Sequence, residues 1–288
     1  MNSNELYNKI KNTSSEQSPR ILYELKQKAF DYFENLSAVG PIFRLNMNSK
    51  IKLFYCPLME IYGSFLMHVP SVSGVSKIYV DEKVLETNPQ MVERQLLHEV
   101  LHALSSDYYG MNRIVFSHVK TGNDFIYTGI NEATTQMFTD DIIGNILEEK
   151  DNYLYFIENI MKILKVLFGT KLIADQYFSN NEYQKFERVF SNESNTTFES
   201  FALLINEVYN LNKEKFYRGL DEESIETLKS KEEELLYIIN NLITIYAEKD
   251  NTIIEKILLE IPDERFLKQI NIFSTIENQS DEFKSVSI

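Results

Sequence analysis

Apolar positions recur at helical spacing through most of the chain and alternate in only one early stretch. Over residues 20–36, Ile21, Leu22, Leu25, Ala29, Phe33 and Leu36 return every three or four positions, which predicts a first helix. Gly40-Pro41 then breaks the pattern. From 42 to 86 the pattern shifts toward strands. Ile51, Leu53 and Tyr55 alternate with Lys52 and Phe54, Ser64–Val69 is a second extended run, and Lys77–Val80 is a third, with Pro70–Gly74 as a turn.

Helical spacing resumes near Asn88-Pro89. Asn88 suits an N-cap and Pro89 the first helical position, so a helix is expected from there to about Ser105. Residues 107–128 read as a loop. A second helix, about 129–148, carries Ile130, Ala133, Met137, Phe138, Ile142 and Ile143. Beyond 150, helices are predicted near 152–168, 182–191, 197–211, 221–248, 251–260 and 264–277. Asp221 or Glu222, with the acidic turn that follows, suits the start of the longest. Residues 1–19 read as a polar arm and 279–288 as a polar tail. The expected fold class is α+β, with a small mixed or antiparallel sheet packed on the 88–105 helix. The expected division is the arm at 1–19, an α+β lobe at 20–149 and a mostly helical lobe at 150–288.

Composition narrows the classes of function. The chain has 288 residues, 43% of them hydrophobic, enough for one domain or two closely packed lobes. Its net charge of −14 disfavours nucleic acid and anionic membrane surfaces as partners, since both are gripped mainly by Lys and Arg. Cys56 is the only cysteine, so no intrachain disulfide can form, and a buried free thiol is the expectation for it. The first residues lack the basic start and apolar core of a secretory signal, and no stretch approaches the roughly 20 apolar residues of a membrane span. A soluble, cytoplasmic protein is expected. The Asn- and Ile-rich composition suits a low-GC bacterium or its phage.

The chemistry concentrates at His98-Glu99-Val100-Leu101-His102. Positions four apart share a helix face, so the two imidazoles stand one turn apart and can meet one Zn²⁺ at about 2.0–2.1 Å each. Glu99 points about 100° round the helix from His98, where its carboxylate can reach a water on the metal as general base. At average residue frequencies the pattern arises by chance in about one chain in a few hundred, so it outweighs the bland alternative of an amphipathic helix that happens to carry two histidines. Leu96, Leu97, Val100, Leu101 and Leu104 supply the buried side of that helix.

Two histidines leave a catalytic zinc short of its usual three protein ligands. A third histidine six residues after the second, with a glycine midway, is ruled out: Tyr108 and Ser105 occupy those positions. His118 remains as one option. The other is a glutamate on a later helix, and Gly129-Ile-Asn-Glu-Ala-Thr-Thr135 offers Glu132.

Taken together, His98-Glu-Val-Leu-His-Ala-Leu104 and Gly129-Ile-Asn-Glu-Ala-Thr-Thr135 resemble the gluzincin metallopeptidases of the thermolysin-like type, over about residues 88–143. The resemblance implies a zincin-like fold, one Zn²⁺ per chain held by His98, His102 and Glu132, Glu99 as general base, and a peptide or protein substrate. The chain departs from that pattern in places. Gln136 stands where the family has an Asp supporting a ligand histidine, the gap between the motifs is longer by about ten residues, and the family's transition-state Tyr and His have no obvious match.

Other residues are candidates for support. Tyr127 or His118 is a candidate donor to the oxyanion of a tetrahedral intermediate, set against the plainer reading of a packed or surface side chain. Asn131 is a candidate to orient the Glu132 helix or a ligand, and Asp107 to hold a ligand histidine from behind, unless it is simply a solvated loop carboxylate. Lys77–Val80 is a candidate edge strand on which an extended peptide would pair, or else an ordinary short strand. Two rivals to a peptidase stay open: a zinc-bound interaction module whose helical half binds a partner, and a hydrolase acting on another amide.

Overall fold

The computed structural model describes residues 12, 15–17, 20–48, 50–56, 66–69, 75–80, 89–107, 113–114, 119–120, 124–125, 128–144, 153–178 and 184–270. It is mostly helical with a small mixed sheet, a coarse α+β arrangement. The sheet holds β1 (Ser15–Gln17), β2 (Lys50–Tyr55), β3 (Leu66–Val69) and β4 (Val75–Val80) in the order β1-β2-β4-β3. β2 and β4 run parallel, and β1 and β3 pair antiparallel outside them. The register sets Ile51 beside Ser76, Leu53 beside Ile78 and Tyr55 beside Val80, so the alternation read from the chain makes one apolar face. On the opposite face Phe54 stacks on Tyr79 with ring centroids 5.2 Å apart.

Two expectations about the sheet are corrected here. Lys77–Val80 is interior, flanked on both sides, because β3 folds back as a hairpin partner; among the described residues β3 is the edge strand. The polar arm also contributes a strand. Ser15–Gln17 has no apolar stripe to announce it, but main-chain pairing with Leu53–Tyr55 needs none, and Glu16 pairs with Lys52 at 3.0 Å.

Helix α1 (Arg20–Asn35) forms as expected and buries Leu22, Leu25, Ala29 and Phe33. It is followed by an unexpected helix, α2 (Pro41–Met47), where strands were predicted to begin. Gly40 is extended at its N-cap and Pro41 takes the first turn, so the dipeptide that reads as a breaker is a helix start. Buried Lys26 closes the far end, donating to the carbonyls of Asn46 and Met47 at 3.2 and 3.0 Å; burial lowers its pKa to about 8.

Helices α3 (Pro89–Ser105) and α4 (Thr128–Ile143) follow. The predicted N-cap Asn88 lies outside the described residues. In the expected loop between them, β5 (Ser106–Asp107) pairs with β6 (Arg113–Ile114), and β7 (Val119–Lys120) with β8 (Asp124–Phe125). Two-residue strands are too short to show a period. α4 stops before 148 because Gly144 turns the chain at φ +93°, closing on the Asp140 carbonyl.

The second half contains α5 (Tyr155–Phe168), α6 (Thr170–Tyr177), α7 (Gln184–Ser194), α8 (Phe198–Arg218), α9 (Glu222–Lys249), α10 (Ile253–Glu260) and α11 (Glu264–Gln269). Asp221 caps α9 by accepting from the Ser224 N–H. α6 was not predicted; Gly169 at φ +87° divides it from α5. α8 runs past 211 to Gly219, through exposed residues with no apolar period. The last predicted helix is observed only to Gln269, and residues 271–277 lie outside the described ones.

Among the described residues, one buried apolar cluster runs from Leu22 to Ile270 and draws on both sides of residue 150. Phe33 lies at a junction of it, edge-on to Phe138 of α4 at 5.0 Å and to Phe178 at 4.7 Å.

A buried charge network lies where α3, α4 and α5 meet. Arg94 contacts Asp140 at 2.7 Å, Lys162 contacts Glu158 at 2.6 Å and Asp140 at 3.8 Å, and Lys165 bridges Asp141 and Glu260 at 2.7 and 2.6 Å. Three cations thus face four carboxyl groups. Burial pushes Glu158 up to about 7, with Lys162 opposing and Asp140 reinforcing the shift. The native state therefore holds this proton between the ordinary value of 4.5 and about 7, where the unfolded chain releases it. Stability from this group falls as pH rises through that window and is fully lost above it. With chelator present, the wild type is expected to lose more of its thermal midpoint between about pH 5 and pH 8 than Glu158→Gln does. Equal losses would refute this.

Candidate metal centre

α3 presents His98 and His102 one turn apart, and α4 brings Glu132 to them from the facing side. His98 Nε2 stands 3.0 Å from His102 Nε2 and 3.3 Å from Glu132 Oε2, and His102 Nε2 is 3.4 Å from Glu132 Oε1. The three donors lie within 4.8 Å of one another. A tetrahedral zinc with ligands at about 2.0–2.1 Å has donor–donor edges of about 3.3 Å, so the triangle fits a metal ion of that size. Two imidazoles and a carboxylate also form an accepted donor set for zinc, though they suit other divalent ions too.

The site is buried on the histidine side and more open on the other: the His98 and His102 side chains are 11% and 7% exposed, that of Glu132 25%. Burial works to raise the Glu132 pKa. The two histidines outweigh it and hold the carboxyl well below its usual value, so the group is an anion ready to bind a cation.

Asn131, a candidate to orient the Glu132 helix or a ligand, lies against the His102 ring. Its amide meets His102 Nδ1 at 3.2 Å, and Thr135 Oγ1 lies 3.5 Å from the same nitrogen. A ring that binds metal through Nε2 keeps its proton on Nδ1 and donates it, so the amide oxygen is the Asn131 atom that suits this contact. Thr135 is held in turn by the buried Tyr177 hydroxyl at 2.6 Å. Among the described residues, the buried His98 Nδ1 has no such partner. Gln136, one turn past Glu132, donates instead to Asp140 at 3.1 Å.

Glu99 is half-buried beside His98, and its charge is felt at Tyr153 and Tyr177. Tyr127 and His118 lie outside the described residues, as does the side chain of Asp107.

The helical half supplies residues that the motifs do not reveal. A Cβ on Gly129 would stand 2.7 Å from Tyr209 Cβ and 3.1 Å from the Ile205 carbonyl. Only glycine lets α8 come this close, one turn before Glu132. Tyr209 meets Tyr153 edge-on at 5.7 Å, and Lys213 Nζ donates to the Tyr209 hydroxyl at 3.3 Å. Burial and the Glu132 charge raise both phenols, Glu99 adds to the effect at Tyr153, and both stay protonated at neutral pH. No signal in the sequence singled these two out among 17 tyrosines.

Among known proteins, no family model matches the chain, and neither a curated protein nor a solved structure matches it. No helix among the described residues is long and apolar enough to cross a membrane.

Proposed function

We propose that this protein is a zinc-dependent metallopeptidase of the gluzincin type, with a zincin-like catalytic half and a peptide or protein substrate. The observation that carries the proposal is the His98–His102–Glu132 donor triangle, with Glu99 next to its first member. His98, His102 and Glu132 hold the metal, and Asn131 and Thr135 orient the His102 ring. Bound zinc supplies Lewis acidity, polarising the scissile carbonyl and acidifying a water.

Glu99 then acts as general base: it takes a proton from the attacking water on its carboxylate and delivers it to the leaving amine. Tyr153 and Tyr209, kept protonated, offer hydroxyl donors to the developing oxyanion, and Lys213 steadies the Tyr209 hydroxyl. They supply the donor function for which Tyr127 and His118 were the sequence candidates. β3, at the sheet edge and packed on α3, offers main-chain groups to an extended substrate.

Hydrolysis of a peptide library, with and without chelator and with zinc added back, tests the proposal. Cleavage that disappears with chelator and returns with zinc supports it. Stoichiometric zinc without cleavage of any peptide points to a binding module, and zinc-dependent cleavage of non-peptide amides alone to a different hydrolase.

A further inference from the structure

Helices α3 and α4 run antiparallel, and among the described residues polar contacts join them around two regions. One is the donor triangle. The other is Arg94 on Asp140: Nε and Nη2 converge on Oδ1 at 2.8 and 2.7 Å, and Gln136 adds a third donor at 3.1 Å. The two side chains are 12% and 5% exposed. Arg94 precedes His98 by one turn, and Asp140 lies about two turns beyond Glu132 on α4, roughly 12 Å along the axis at about 1.5 Å per residue.

Two helices pinned at one point can still slide or swivel about it. Pinned at two separated points they hold one register. A slip of one residue is about 1.5 Å, whereas a metal site tolerates only about 0.2 Å in its ligand distances. The second pin is also hard to displace. The guanidinium's donors are directional, and moving either partner away takes from a buried charge an oppositely charged neighbour at 2.7 Å. Lys162 of α5, at 3.8 Å from Asp140 and 2.6 Å from Glu158, ties the pin to a third helix.

We propose that the Arg94–Asp140 pair positions the metal centre, setting the register of α3 against α4 so that His98, His102 and Glu132 stand at metal-binding separation. This inference rests on the metal-site reading above.

The test uses the full chain and three variants: Asp140→Asn, Arg94→Lys and the double change Arg94→Met/Asp140→Leu. Zinc affinity is measured by competition with a chelating indicator, ligand geometry by the visible absorption of the Co²⁺-loaded protein, and stability by the thermal midpoint. Asp140→Asn is expected to weaken zinc binding about 10–100-fold and to alter the Co²⁺ spectrum. Arg94→Lys keeps the charge but loses the fork, and should fall between it and the wild type. The double variant removes both charges of the pair together, so it should recover part of the midpoint lost in Asp140→Asn without recovering the affinity.

Folded variants with wild-type affinity and an unchanged Co²⁺ spectrum overturn the inference, leaving the pair a purely structural contact. Should Asp140→Asn fail to fold, Arg94→Lys and the double variant carry the same comparison. A wild type that binds no zinc, or binds it equally after His98→Ala, defeats the metal-site reading instead.

Discussion

Replacing Glu99 by Gln is expected to leave one zinc per chain and to lower peptide turnover by about 10²–10⁴-fold, the usual worth of a positioned general base. The substitution keeps the size and polarity of the side chain and removes only its ability to take a proton. Glu99 lies outside the donor triangle, so zinc affinity should change little. It is half-buried next to His98 in the chain, and its charge reaches Tyr153. The decisive measurement pairs turnover of a cleaved library peptide with zinc content after dialysis. Full activity in Glu99→Gln would sink the assignment. Loss of zinc along with activity would show that Glu99 is instead part of the metal's own ligand set.

Alanine in place of His98, His102 or Glu132 should have a different signature, with zinc itself lost. The three side chains approach one another at 3.0–3.4 Å, His98 and His102 meeting different oxygens of Glu132, and removing any of them leaves two ligands. The loss of affinity should exceed the roughly 10–100-fold that outer partners such as Asn131 are worth. Glu132→Ala is the most informative of the three, because it removes the only anion of the set and the charge that offsets the bound cation. Zinc titration of all three variants should give similar, large losses. Retention of tight, stoichiometric zinc by Glu132→Ala would move the third ligand elsewhere, with His118 the first residue to test.

The local motifs were legible because they depend on one helix at a time. His98 and His102 share a face at any i, i+4 spacing, and Pro89, Asp221 and the apolar stripes announce where helices begin and what they bury. α2 was missed because Gly40-Pro41 signals equally a break and a helix start, and what selects the helix is distant: Lys26, from α1, closes its C-terminal carbonyls. For Lys77–Val80 the sequence leaves an edge strand and an ordinary short strand both open, because strand order is not a property of a strand. The hairpin from β3 and the parallel partner β2 enclose it.

By itself, then, the sequence determined the nearest-neighbour chemistry: a two-histidine helix with a glutamate beside the first, a second helix bearing Glu132, and an acidic, mostly helical chain. Tertiary structure alone decided which residues from other helices complete the centre. Glu132 stands thirty positions beyond His102, yet within 3.4 Å of it. Asp140 reaches back to Arg94, and Tyr209 closes on Gly129 from a helix that begins at Phe198. Helical periodicity carries information over a few residues, whereas these contacts depend on how buried faces pack, which is set by the whole core at once.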